Sequence, residues 1–179
     1  MRTSSIPARL ATALAAALSL VACGGTVDFT VERNLDVNST VSGGAVLATV
    51  DLAAEAGGAW KHRNRIDSVS ITTAEATVIS VTTPPNTATA LSGDVWLLPE
   101  GATTPGAGAV KAGTFTDEPV TVGNVIGLTL TPELNAFVRG AFNGSGRFGV
   151  YAVGTGAGGQ VVACRLHLVL GAKLKWKAF

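Results

Sequence analysis

From Val162 onward every even-numbered position through Trp176 is apolar, while the odd positions include Arg165, His167, Lys173 and Lys175. A period of two puts successive side chains on opposite sides of an extended backbone, so this stretch predicts a strand with one buried and one wet face. A sheet wet on one face is antiparallel behaviour, because parallel sheets are covered on both sides. Gly171 interrupts the run and predicts a bend or a division into two strands. Lys173, Lys175 and Lys177 form a cationic ladder of the kind that guards an exposed sheet edge.

The rest of the chain repeats this signal in shorter pieces. Val27–Val31 alternates, with Leu35 and Val37 continuing beyond a kink near Asn34, and a second strand runs from Val46 to Leu52 after the Ser42-Gly43-Gly44 turn. Residues 53–59 read as a loop or a loose helical turn ended by Gly57-Gly58. Ile66, Val69 and Ile71 predict a third strand, and β-branched Thr77–Thr82 a fourth, stopped by Pro84-Pro85-Asn86. Ser92-Gly93-Asp94, between apolar stretches, predicts a hairpin or a bulge. Residues 99–108 form an exposed loop, Val110–Phe115 a short edge strand, and Val125–Leu130 another strand.

One helix is expected, near residues 132–139. Thr131 suits its N-cap, Pro132 its first position and Glu133 its positive end. Leu134, Phe137 and Val138 share one face, and Gly140 suits the stop. So short a helix would plug one end of the fold. Asn143-Gly144 then turns the chain into Phe148–Val153, and a glycine loop follows. Many short strands with one small helix predict an all-β antiparallel sandwich, Ig-like or jelly-roll-like, spanning residues 27–179 as one domain.

The N-terminus has a different grammar. Arg2 and Arg9 precede an apolar stretch from Leu10 to Ala22, too short to span a bilayer comfortably but of the length of an export signal. It closes on Leu20-Val21-Ala22-Cys23 and opens onto Gly24-Gly25. This tetrapeptide resembles the lipobox of bacterial lipoproteins. The resemblance implies cleavage between Ala22 and Cys23, a signal peptide over residues 1–22, and a lipid on Cys23, the sole prosthetic group expected. Residues 23–26 would be the tether. Several acyl chains on one residue anchor firmly, where one is marginal. Gly24, rather than Asp, after the cysteine leans towards the outer membrane over the inner. The order of strand, Thr-Pro-Glu-Leu helical turn, glycine-rich hairpin and terminal amphipathic strand also looks like that of small envelope lipoproteins with sandwich domains.

Losing residues 1–22 would leave 157 residues, enough for a sizeable core, with 11 basic residues against 12 acidic. Near-neutrality removes the electrostatic footprint of a nucleic-acid binder. With Cys23 lipidated, Cys164 has no disulfide partner, and its place in the alternating run makes it a buried small hydrophobe.

No catalytic or metal-binding constellation emerges. Gly154-Thr155-Gly156-Ala157-Gly158-Gly159 fits G-x-G-x-x-G, but a strand follows where a dinucleotide site needs a helix N-terminus. His62 and His167 are too few and too scattered for a zinc site, and Asp117-Glu118 lacks the spacing of a calcium loop. Trp60-Lys61-His62-Arg63-Asn64-Arg65 is the one concentrated basic stretch: Trp60, Lys61, Arg63 and Arg65 are a candidate contact for an anionic surface, with a solvated loop as the plainer reading. Trp96 and Trp176 lie in strand patterns and are expected in the core. Taken together, the sequence points to a membrane-anchored envelope lipoprotein whose non-catalytic sandwich binds or scaffolds another envelope component, protein or polysaccharide. The alternative is a periplasmic hydrolase with an unrecognised site, which would need clustered polar side chains in a deep pocket. An outer-membrane barrel ending at Phe179 is disfavoured by strands too short and irregular to span.

Overall fold

The computed structural model describes residues 24–178. The expected signal peptide and the lipid attachment at Cys23 lie outside the described residues. Eight strands follow one another: β1 (Gly25–Asn38), β2 (Ala45–Asp51), β3 (Ile66–Val81), β4 (Ala90–Pro99), β5 (Val110–Pro119), β6 (Val125–Gly127), β7 (Arg147–Gly156) and β8 (Ala163–Trp176), with helix α1 (Pro132–Asn143) between β6 and β7.

They form two antiparallel four-stranded sheets, ordered β1-β8-β3-β6 and β2-β7-β4-β5. The first and last strands pair, as do β2 with β7, β3 with β6 and β4 with β5. This is the pairing of one long hairpin; rolling it up then brings β8 against β3 and β7 against β4. The architecture is therefore an all-β sandwich with jelly-roll connectivity, not an Ig-like one. The loops β1–β2, β3–β4, β5–β6 and β7–β8 gather at one end. Both chain termini of the described fold lie at the opposite end, where Gly25 and Ile66 both stand opposite Trp176.

The alternating run is one strand, and it is central rather than peripheral. Leu166, Leu168, Leu170, Ala172 and Leu174 face the core, each large side chain contributing about 1.5–3 kcal/mol on burial. Lys173 and Lys175 consequently guard no edge. They lie in the middle of the sheet's wet face, near Asp28 on β1 at 3.8 Å and Asp67 on β3 at 3.7 Å. Gly171 does not divide β8. A side chain there would press on Thr73 and Thr72 at 3.3–3.4 Å, where β3 carries a bulge.

That bulge explains why β3 reads as two strands in sequence. Val69 and Ile71 are buried on one phase, and Ala74, Ala76 and Val78 on the other, because the register slips between Ile71 and Thr73. Ser92-Gly93-Asp94 is neither a turn nor a bulge: β4 runs through it in unbroken register with β7, and the extra residue opposite it is on β5, where Asp117 has a φ of 53°. A Cβ on Gly93 would lie 1.9 Å from the Val153 carbonyl oxygen.

β6 is shorter than Val125–Leu130, ending at Gly127, and after the Leu128 N–H to Ala74 carbonyl bond it leaves the outer edge of β3 uncovered. α1 fills that gap. Thr131 caps it as expected, its hydroxyl accepting from Leu134 N–H. The helix continues past Gly140 to Asn143, and Gly144 ends it, because Leu134, Val138 and Phe142 are buried at successive i, i+4 positions. Burying Phe142, about 1.5–3 kcal/mol, outweighs roughly 1 kcal/mol for a mid-helix glycine. Its ring meets Phe29 edge-on at 5.3 Å and Trp60 at 5.9 Å, closing the terminal end of the sandwich. Inside, the lining of Val31, Val50, Leu97 and Leu168 leaves a gap of only about 10 Å³.

Candidate functional site

Residues 59–65 fold as a 3-10 segment leading into β3. Trp60 turns inward, against Phe142 and over Gly146, where an added Cβ would sit 2.6 Å from the ring. Trp60 is half-buried beside the open sandwich end, packed against the core. The cations remain outside it. Arg63 lies over the Trp60 ring at 4.8 Å, and Lys61 and Arg65 are exposed.

This basic segment is stitched to the end of β8. Arg65 accepts from Lys177 N–H at 2.9 Å through its carbonyl, and its guanidinium donates to the Ala178 carbonyl at 2.8 Å. His62 stacks on Trp176 at 3.8 Å with an 11° tilt. The same indole covers Gly25, where a Cβ would be 2.4 Å from the ring. Lys175 and Lys177 share one carboxylate, Asp67, at 3.7 and 3.3 Å. Lys61, Arg63, Arg65, Lys175 and Lys177 thus gather at the end where the described chain begins.

On the wet face of the β1-β8-β3 sheet, polar residues pair across strands. Arg165 grips Asp36 with two hydrogen bonds of 2.6 and 3.0 Å, which hold the Asp36 carboxyl below its usual range and raise the guanidinium. His167 meets Asn34 at 3.0 Å and lies 3.6 Å from Glu32. At the open seam between edge strands β1 and β2, Arg33 points towards the core. It donates to the Thr49 carbonyl at 2.8 Å and pairs with Glu55, which also accepts from Asp51 N–H at 2.9 Å. An inward cation of this kind blunts an edge against further pairing.

The wet face of the other sheet holds what the sequence did not disclose. Leu47, Tyr151, Trp96 and Lys111 stand in register across all four strands. Trp96 is therefore outward, not in the core, and Lys111 lies 5.0 Å from its ring centre. Alternation within β4 is kept, with Val95 and Leu97 buried on either side of Trp96; the extra residue here, Ala112, is on β5. Asp94 accepts from Thr114 at 2.7 Å and from Lys111 at 2.9 Å, and these bonds lower its pKa. Beside this row is a cleft of about 440 Å³ floored by Leu47 and Gly149, with Asp51, Glu100 and Arg147 on its rim. Arg147 reaches Asp51 at 3.2 Å and Glu100 at 3.9 Å. Burial pushes the Asp51 carboxyl up, but the Arg147 bond and the Ala53 and Ala54 N–H groups outweigh it and leave it lowered.

Cys164 is buried, and burial pushes its thiol up to about 11. Among the described residues no three His, Cys, Asp or Glu side chains cluster to hold a metal, and no helix is long and apolar enough to cross a membrane. Asp117 N–H donates to Ser92 Oγ at 2.9 Å and Glu118 accepts from Asn124 at 3.3 Å. The glycine run at 154–159 finishes β7 and makes one 3-10 turn, and a strand follows it.

No family model and no curated protein matches the chain. Among solved structures it is similar to that of Desmodium yellow mottle tymovirus, with 8% identity, 99% of this chain and 94% of that one covered, and a TM-score of 0.32. It is also similar to the decameric BFDV capsid protein, with 16% identity, 85% and 99% coverage and a TM-score of 0.42. Turnip yellow mosaic virus gives 7% identity, 87% and 96% coverage and a TM-score of 0.33. Scores this low carry no argument about what this chain does.

Proposed function

We propose that the protein is a lipid-anchored bacterial envelope lipoprotein whose sandwich is a non-catalytic binding or scaffolding domain. The observation that carries this reading is the abutment of the Leu20-Val21-Ala22-Cys23 box with the start of the fold. β1 begins at Gly25, two residues after Cys23, and all the described strand pairings lie within residues 25–176. Cleavage before Cys23 removes nothing the described fold uses. Gly24-Gly25 also has a structural reason to follow the cysteine, since Trp176 leaves no room for a side chain at either position.

The binding surface we assign is the wet face of the β2-β7-β4-β5 sheet, where the Leu47–Tyr151–Trp96 row borders the cleft. Partly exposed aromatics beside a cleft of this size, rimmed by hydrogen-bonding side chains, suit a protein or polysaccharide of the envelope. The polar groups there neutralise one another: Asp51 and Glu100 flank Arg147, and Asp94 takes Lys111. This favours holding a partner over activating a nucleophile.

Two experiments test the reading. Cys23→Ser should accumulate uncleaved and lose its processed, detergent-partitioning form; continued cleavage at the same bond with detergent partitioning contradicts the anchor. Crosslinking in intact cells should capture an envelope partner that Trp96→Ala with Tyr151→Ala no longer captures, and unchanged capture contradicts the assigned face.

A further inference from the structure

We infer that the terminal end of the sandwich rests on an anionic bilayer, with Lys61, Arg63, Arg65, Lys175 and Lys177 against lipid phosphates; this rests on the anchor proposed above. Two residue steps separate Cys23 from Gly25, a reach of about 7 Å. Gly25 is already paired with Trp176, so a bilayer holding the acyl chains of Cys23 lies within headgroup distance of Trp176 and the basic segment stacked on it. No long linker lets the domain tumble free.

The charge at that end matches such a surface. The basic segment and the end of β8 bring five cations together around one carboxylate, Asp67, which already serves two of them. At the far end, the loops 39–44, 82–89, 120–124 and 157–162 contain no Lys or Arg, and Asp117-Glu118 lies beside them. The tether end also holds Asp28, Asp51, Glu55 and Glu100, but these face Lys173, Arg147 and Arg33, and the five cations around Asp67 leave that end net positive. Each basic residue near an anionic surface changes association about fivefold. The sheets then stand upright on the membrane, with the Trp96 face turned sideways and free.

The test uses residues 23–179, which contain every described strand and core residue. A maleimide lipid is coupled to Cys23 of the folded protein, Cys164 being buried, so the test does not depend on lipidation in cells. The product is placed on phosphatidylcholine vesicles with or without phosphatidylglycerol and treated with an amine-modifying reagent, each lysine being read by mass spectrometry. Lys61 and Lys177 should label about fivefold less on the anionic vesicles, the protection should vanish at high salt, and Lys111 should label equally on both. Equal labelling of Lys61 and Lys177 on the two vesicle types overturns the inference, as does equal protection of Lys111. Equal protection by soluble polyphosphate on neutral vesicles also overturns it, by assigning the patch to free polyanions. Loss of cellular lipidation in the native protein would instead strike the anchor alone.

Discussion

Asn135 on α1 accepts the backbone N–H of Ile71 on β3 at 2.7 Å, across 64 residues of chain. The bond falls where β6 no longer covers β3 and just before the β3 register slips. A helix side chain therefore takes the place of a missing strand partner.

Asn135→Leu keeps the size of the side chain and strips the acceptor, leaving the Ile71 N–H partly buried and unpaired. The expected loss is about 1–3 kcal/mol of unfolding free energy by denaturant titration. An unchanged midpoint would mean that water serves Ile71 equally well.

Gly140 lies inside α1, and a Cβ there meets nothing within 4 Å. Gly140→Ala should stabilise the fold by about 0.5–1 kcal/mol, raising the thermal midpoint. Destabilisation would show that the helix ends at residue 139.

Gly93 has the opposite constraint, with the Val153 carbonyl and the Phe115 ring where a side chain would go. Gly93→Ala should cost about 1–3 kcal/mol, towards the upper end because backbone rather than a flexible side chain stands in the way. Tolerance of Ala at Gly93 would contradict the close approach of the Val153 carbonyl to β4.

Asp36, Asp51 and Asp94 all titrate below the ordinary aspartate value of 3.8 in the folded chain. The unfolded chain therefore takes up protons first as the pH falls. Their contribution is complete above about pH 4–5 and drains away as the pH drops through the folded values. Thermal midpoints should be flat towards neutrality and fall below about pH 4, with Asp36→Asn making the fall shallower. An acid limb unaltered by Asp36→Asn would show that the Arg165 pair adds nothing.

Cys164, with its thiol pushed up to about 11, should resist iodoacetamide at mildly alkaline pH in the folded protein and react once denatured. Labelling of the native protein at the rate of a free thiol would contradict its burial.

Much of the fold was legible because burial imposes a period. β8 announced itself over its whole length, and Thr131-Pro132-Glu133 fixed the start of α1. What misled were breaks of phase. The β3 bulge made one strand look like two, and Gly93 looked like a turn although it answers to the Val153 carbonyl. The β8 lysines looked like edge guards because the sequence does not say which strands flank them; Asp28 and Asp67 do. The candidate surfaces were less legible still. Trp96 was expected inside and faces out, and that Trp60 packs on Phe142 was not legible in the sequence. Lys61, Arg63 and Arg65 were visible as a run, but their neighbourhood with Lys177 exists only through the fold.

The most direct test of the account is the mass of the mature N-terminal peptide after extraction from bacterial membranes. The account predicts that the peptide begins at Cys23 and carries a diacylglyceryl group on its sulfur. A mature peptide beginning elsewhere, or beginning at Cys23 with a free thiol, would contradict it.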